Sequence, residues 1–183
     1  MYTHQNSQVL RAAAVFRAAL LAVLLLFAAG QARAQMPAAR PAGYVSDFAG
    51  VLSPRARTAI EAISAELDQK AHAQLAVVTV QSLEGRSIED FSIQLAEKWG
   101  IGYKGGPRDE RRDRGVLLLL AVQDRQDRIE VGYSLEPLLN DARAGDILRD
   151  MVPALRAGDY DAALWGAALA IATPIAQQAG VTL

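Results

Sequence analysis

A chain of 183 residues with 19 basic and 20 acidic side chains carries a formal charge of −1. That balance offers no electrostatic footprint for nucleic acid or for an anionic lipid surface. Two histidines and no cysteine exclude thiol nucleophiles, disulfides and cysteine-based redox centres, and leave zinc short of its usual ligands.

Residues 1–34 read as a targeting segment. Arg11 and Arg17 supply the positive start, Ala18 to Ala29 is an uninterrupted apolar run, and Ala32-Arg33-Ala34 has the small-x-small pattern of a cleavage site. The run is shorter than the roughly 18 apolar residues of a spanning helix. A signal peptide cut between Ala34 and Gln35 is therefore expected rather than an anchor, and the exported chain is expected to be periplasmic or secreted. Membrane contact is expected only through this segment, where it is retained. Its removal takes away Arg11, Arg17 and Arg33 but no carboxylate, leaving 16 basic against 20 acidic side chains, a charge of −4. Residues 35–43, with Pro37, Pro41 and Gly43, read as a flexible lead. Folded patterning follows over 44–178, and 179–183 form a short tail. A single domain of this size buries roughly two-thirds of its unfolded surface.

Ser53-Pro54 marks a helix start, with serine as the cap and proline at the first helical position. Ala56, Ala59, Ile60, Ile63 and Leu67 then form one apolar stripe. His72 falls at the solvent-side end of that helix. Gln74 to Val80 is nearly continuous and apolar, as a strand covered on both faces should be. Ser87-x-x-Asp90 approximates a capping box for a helix bearing Ile88, Phe91, Leu95 and Trp99, which Gly100 ends. Residues 102–114 make a charged, glycine-rich loop. Val116 to Val122 is a second buried strand, Gln123 to Asp127 a polar turn, and Arg128 to Tyr133 an alternating edge strand completing a hairpin. Asp141 is the expected cap of a helix carrying Ile147, Leu148, Met151, Val152 and Leu155. Asp159 is the expected cap of the last helix, and Pro174 is expected to interrupt it. That segment, apolar nearly all round but short for a bilayer, suits burial against the sheet. The order predicts an α/β protein with a mixed sheet and helices on its faces.

Little in this pattern suits catalysis. With no G-x-S-x-G elbow, His72 lacks a partner serine. Gly100 to Gly105 matches G-x-G-x-x-G, but the glycines follow a helix instead of leading into one, which argues for a surface loop over a dinucleotide site. Asp159 and Asp161 open a helix, so capping accounts for both. Arg108, Arg111, Arg112 and Arg114 form a candidate grip for a phosphate or an acidic partner, although Asp109, Glu110 and Asp113 are interleaved with them. Asp47, Asp113, Glu136 and Asp141 lie where loops meet strands or helices. Clustered carboxylates need a neutralising cation, and hard oxygen ligands suit Ca²⁺ or Mg²⁺. The competing reading makes each one a turn or helix cap.

Taken together, four runs resemble the TPM domain family. Val45-Ser46-Asp47-Phe48-Ala49-Gly50-Val51-Leu52-Ser53 is similar to its opening motif, and Trp99-Gly100-Ile101-Gly102 to its helix-ending motif. Asp113-x-Gly115-Val116-Leu117-Leu118-Leu119 is similar to its central strand, and Val131-Gly132-Tyr133-Ser134-Leu135-Glu136 with Asp141-Ala142 to its glycine–Leu–Glu signature. The resemblance implies a three-layer α/β/α sandwich with a small mixed sheet, exported from the cytoplasm. It also implies divalent-cation binding, with Asp47, Asp113, Glu136 and Asp141 as candidate ligands, and a modest acid-phosphatase activity in some members. The sequence departs from the family in a longer, arginine-rich 102–114 loop and in Arg114 where asparagine is common. It also lacks a transmembrane helix and glycine-rich tail before Leu183, which favours a soluble periplasmic protein. The functional expectation is a cation-binding interaction module serving an envelope protein partner, with a metal-assisted phosphatase as the alternative.

Overall fold

The computed structural model describes residues 43–102, 106, 109 and 112–183. The targeting segment, nearly all of the lead, Arg108 and Arg111 lie outside the described residues. The elements in chain order are β1 Val45–Asp47, α1 Pro54–Ala71, β2 Gln74–Val80, α2 Ile88–Trp99, β3 Gly115–Ala121, β4 Gln126–Val131, a 3-10 turn Tyr133–Leu135, α3 Asp141–Arg156 and α4 Tyr160–Gln178.

The sheet order is β1-β2-β3-β4. The first three strands run parallel, and β4 returns antiparallel through the hairpin. Every residue of β2 and β3 is buried, which accounts for their continuous apolar sequence. Alternate side chains go to opposite faces. Leu75, Val77, Val116, Leu118 and Leu120 meet α1, α3 and α4, whereas Ala76, Val78, Val80, Leu117 and Leu119 meet α2. The expected α/β/α sandwich is present, with three helices on one face and α2 alone on the other.

Four local expectations change. β1, only three residues long, is too short for periodicity to reveal, and it adds a fourth strand. β4 begins at Gln126, two residues before the alternation is legible. The cap of α3 is Asn140, whose side chain accepts from the Arg143 N–H, so Asp141 is the first helical residue. The last helix runs through Pro174, which is itself buried. Packing against α1 and α3 sustains α4 despite the one hydrogen bond that proline removes. No helix among the described residues is long and apolar enough to cross a membrane.

Candidate functional site

The parallel strands give the sheet two distinct ends, and the candidate carboxylates divide between them. At the amino end of β3, three glycines let separate loops approach within backbone contact. A Cβ on Gly102 would stand 2.7 Å from the Gly115 nitrogen, and one on Gly132 would stand 2.2 Å from the Asp113 carbonyl oxygen. No side chain fits at either place. Gly132 N–H donates to the Gly115 carbonyl at 2.7 Å, Ser134 N–H to the Asp113 carbonyl at 3.3 Å, and Ser134 Oγ to the Arg112 carbonyl at 2.9 Å. Buried Gln74 accepts from the Gly102 N–H at 3.0 Å. The segments 112–115 and 132–134 are therefore one hydrogen-bonded unit.

Asp113 sits in that unit with φ +55°, and its carboxylate pairs with Arg112 Nε at 3.2 Å. Both side chains remain nearly half exposed. Glu136 follows the 3-10 turn and is exposed, and exposed Asp141 opens α3. Tyr133, at the start of the 3-10 turn, is 77% exposed, the most exposed large hydrophobic side chain among the described residues.

Asp47 is at the other end. Its strand partner is Thr79, which pairs in turn with Leu120. Five residues of β3 separate Leu120 from Gly115, about 16 Å at the usual rise. The Asp47 carboxylate is fully buried and its oxygens are occupied. Oδ1 accepts from Thr79 Oγ1 at 2.5 Å and Val51 N–H at 3.1 Å; Oδ2 accepts from Leu52 N–H at 3.0 Å and Arg57 Nη2 at 3.1 Å. Burial by itself raises its pKa, but the hydrogen bonds from Thr79, Leu52, Val51 and Arg57 outweigh that and hold it below the ordinary value. Asp47 thus staples the loop between β1 and α1.

The arginines divide as well. Arg114 turns back to donate from Nη2 to the Ala71 carbonyl at 3.2 Å, closing the end of α1. Arg112 is the described arginine of the four that remains at the surface of this end. The aspartates of the last helix also separate in role. Asp159 caps α4 through the Ala162 N–H, whereas Asp161 accepts from the Ser53 N–H at 2.9 Å. It satisfies the residue that caps α1, a long-range contact that helix capping within α4 does not describe. Among the described residues, no three carboxylate or imidazole side chains come together as a metal-holding group.

The TPM domain family model, described as TPM_phosphatase, matches residues 45–173. The chain belongs to the TPM domain family. An N-terminal domain of a protein from P. gingivalis is similar at 30% identity and TM-score 0.67, covering 75% of this chain and 85% of that one. The N-terminal domain of a Corynebacterium glutamicum protein has the same fold at 22% identity and TM-score 0.55, covering 76% and 82%. No curated relative matches the sequence. In this TPM domain the opening motif is a loop built around Asp47, and the central-strand and glycine–Leu–Glu motifs are the two halves of the hydrogen-bonded unit at the amino end. Sequence reasoning passed over Ser134 and the three-glycine contact, which no local period announces. It also passed over Asp127, although a carboxylate in phase with Ile129 and Val131 on an alternating strand is a readable signal. Ile129 and Val131 belong to the core under α3 and α4, so Asp127 faces the same layer.

Proposed function

We propose that this TPM domain is an exported interaction module of the cell envelope that engages a protein partner through the amino end of its sheet, with Ca²⁺ or Mg²⁺ assisting. One observation carries the reading: a largely solvated aromatic, Tyr133, shares the amino end of the sheet with the half-exposed carboxylate of Asp113 and the exposed Glu136, on backbone drawn together at Gly102, Gly115 and Gly132. Exposed aromatics on rigid backbone are favoured anchors of protein interfaces, and hard carboxylate oxygens suit these cations. The described residues do not make a closed metal cage, so a cation held at Asp113, Glu136 or Asp141 would complete its shell with water or partner oxygens. Asp47 is not part of this proposal, because all of its acceptor capacity is committed.

The test is the melting temperature of residues 35–183 after EDTA treatment, with and without added Ca²⁺ or Mg²⁺. A cation at 100 times its dissociation constant adds about 2.7 kcal/mol, a rise on the order of 5–10 °C for a domain of this size. The rise should vanish in Asp113→Ala and Glu136→Ala and persist in Tyr133→Ala, which should release a partner pulled down from envelope extracts. A flat response in the parent domain removes the cation from the proposal. The name of the family model, TPM_phosphatase, favours a second reading, phosphomonoester hydrolysis with a cation activating water and Arg112 contacting the phosphoryl oxygens. Turnover that survives Asp113→Ala and Arg112→Ala would eliminate it.

A further inference from the structure

At the carboxyl end of β3, away from the surface just discussed, a groove of about 630 Å³ opens between the sheet and the corner joining α3 to α4. Its volume lies in the range of sites that enclose small organic ligands, and the carboxyl ends of parallel strands are where open α/β sheets bind them. Leu120, Val152 and Leu155 supply an apolar floor. The rim carries Arg125 and Arg156. Arg57, Arg112, Arg114 and Arg128 each reach an oxygen of the protein. Arg125 and Arg156 make no such contact among the described residues. Two unengaged guanidinium groups over apolar carbon, on a domain with a charge of −4 after removal of residues 1–34, are suited to attract and hold an anion.

Asp127 lines the same groove and likewise has no hydrogen bond or ion pair among the described residues. Burial raises its pKa above the ordinary carboxylate value. Tyr160 at the head of α4 adds an aromatic wall.

We propose that this groove binds a small amphipathic anion, its apolar body on Leu120, Val152 and Leu155 and its carboxylate or phosphate head between Arg125 and Arg156. Guanidinium groups pair with either head in a bidentate manner. The inference is independent of the amino-end surface and stands or falls separately.

The probes are octanoate and octyl phosphate, with 1-octanol and octylamine as neutral and cationic controls. They are titrated into residues 35–183, one compact unit with its own core, while the methyl resonances of Leu120 and Leu155 are followed by NMR. At least one anionic probe should shift both methyls and saturate, and the two anions together identify the preferred head. Arg125→Ala and Arg156→Ala, both at exposed positions, should each weaken binding about tenfold, equivalent to about 1.4 kcal/mol. Arg143→Ala, at an exposed position in the first turn of α3, should leave it unchanged. Equal binding of 1-octanol, or of the anions to both groove variants, would overturn the proposal, as would silent methyls at millimolar probe.

Discussion

Replacing Asp47 by alanine should cost about 3–4 kcal/mol of folding free energy. Three donors lose their acceptor together: the hydroxyl of fully buried Thr79 and the N–H groups of Leu52, buried, and Val51, partly buried. A buried donor left without a partner costs about 1–1.5 kcal/mol at the low end of its range. The fourth donor, Arg57, is half exposed and adds little. For a domain of this length the loss corresponds to a fall of about 10 °C in melting temperature, measured by scanning calorimetry or urea titration on residues 35–183. Thr79→Val removes one of the three bonds and also leaves the buried Ala49 N–H without the Thr79 Oγ1 it donates to at 3.2 Å, and should cost about 2 kcal/mol. Added to Asp47→Ala it should cost less than it does alone, because the two residues share one interaction. The pH dependence has a fixed sign. A carboxylate whose folded pKa is depressed contributes fully above its unfolded value of about 3.9 and loses that contribution as pH falls through the folded value. The gap between wild type and Asp47→Asn should therefore be constant from pH 7 to pH 5 and narrow below about pH 4. A fall of less than about 1 kcal/mol in Asp47→Ala would refute the assignment of Asp47 as the staple of this loop.

Asp127 should behave oppositely. Its folded pKa is raised by burial, so stability falls as pH rises through the window between the unfolded and folded values; Asp127→Asn should melt higher at pH 7, and the gain should disappear in acid where the wild-type group is protonated. Gly132→Ala directs a Cβ into the Asp113 carbonyl and should cost about 2–3 kcal/mol by forcing backbone apart. The same variant should also weaken any response to Ca²⁺ or Mg²⁺, since Asp113 is carried on the displaced segment.

The buried elements were legible because their side chains repeat. Gln74–Val80 and the β3 strand read as continuous apolar runs since both faces are covered, and Ile88, Phe91, Leu95 and Trp99 recur at helical spacing on one buried stripe. β1 was illegible for a physical reason. Three residues hold no period, and the strand exists because Val45 to Asp47 hydrogen-bond to β2 while Glu61 takes the Tyr44 and Val45 N–H groups on the outer side. Pro174 misled because its local penalty is real but is outweighed by a helix buried along most of its length.

The carboxylates show most clearly where residue type alone stops informing. Asp47, Asp113, Asp159 and Asp161 all stand at junctions of loop and element, and composition assigns them one shared description. Their partners differ: a hydroxyl and two backbone amides for Asp47, an adjacent arginine for Asp113, the N–H of its own helix for Asp159, and the cap residue of another helix for Asp161. A ligand-binding carboxylate must retain lone pairs directed at solvent, and that property depends on what folds around it. By that criterion Asp47 and Asp161 hold loops in place. Asp113 and Glu136 at the amino end, and Asp127 at the carboxyl end, keep the capacity to meet something from outside. The two ends therefore call for separate assays: cation addition reads the first, and an amphipathic anion reads the second.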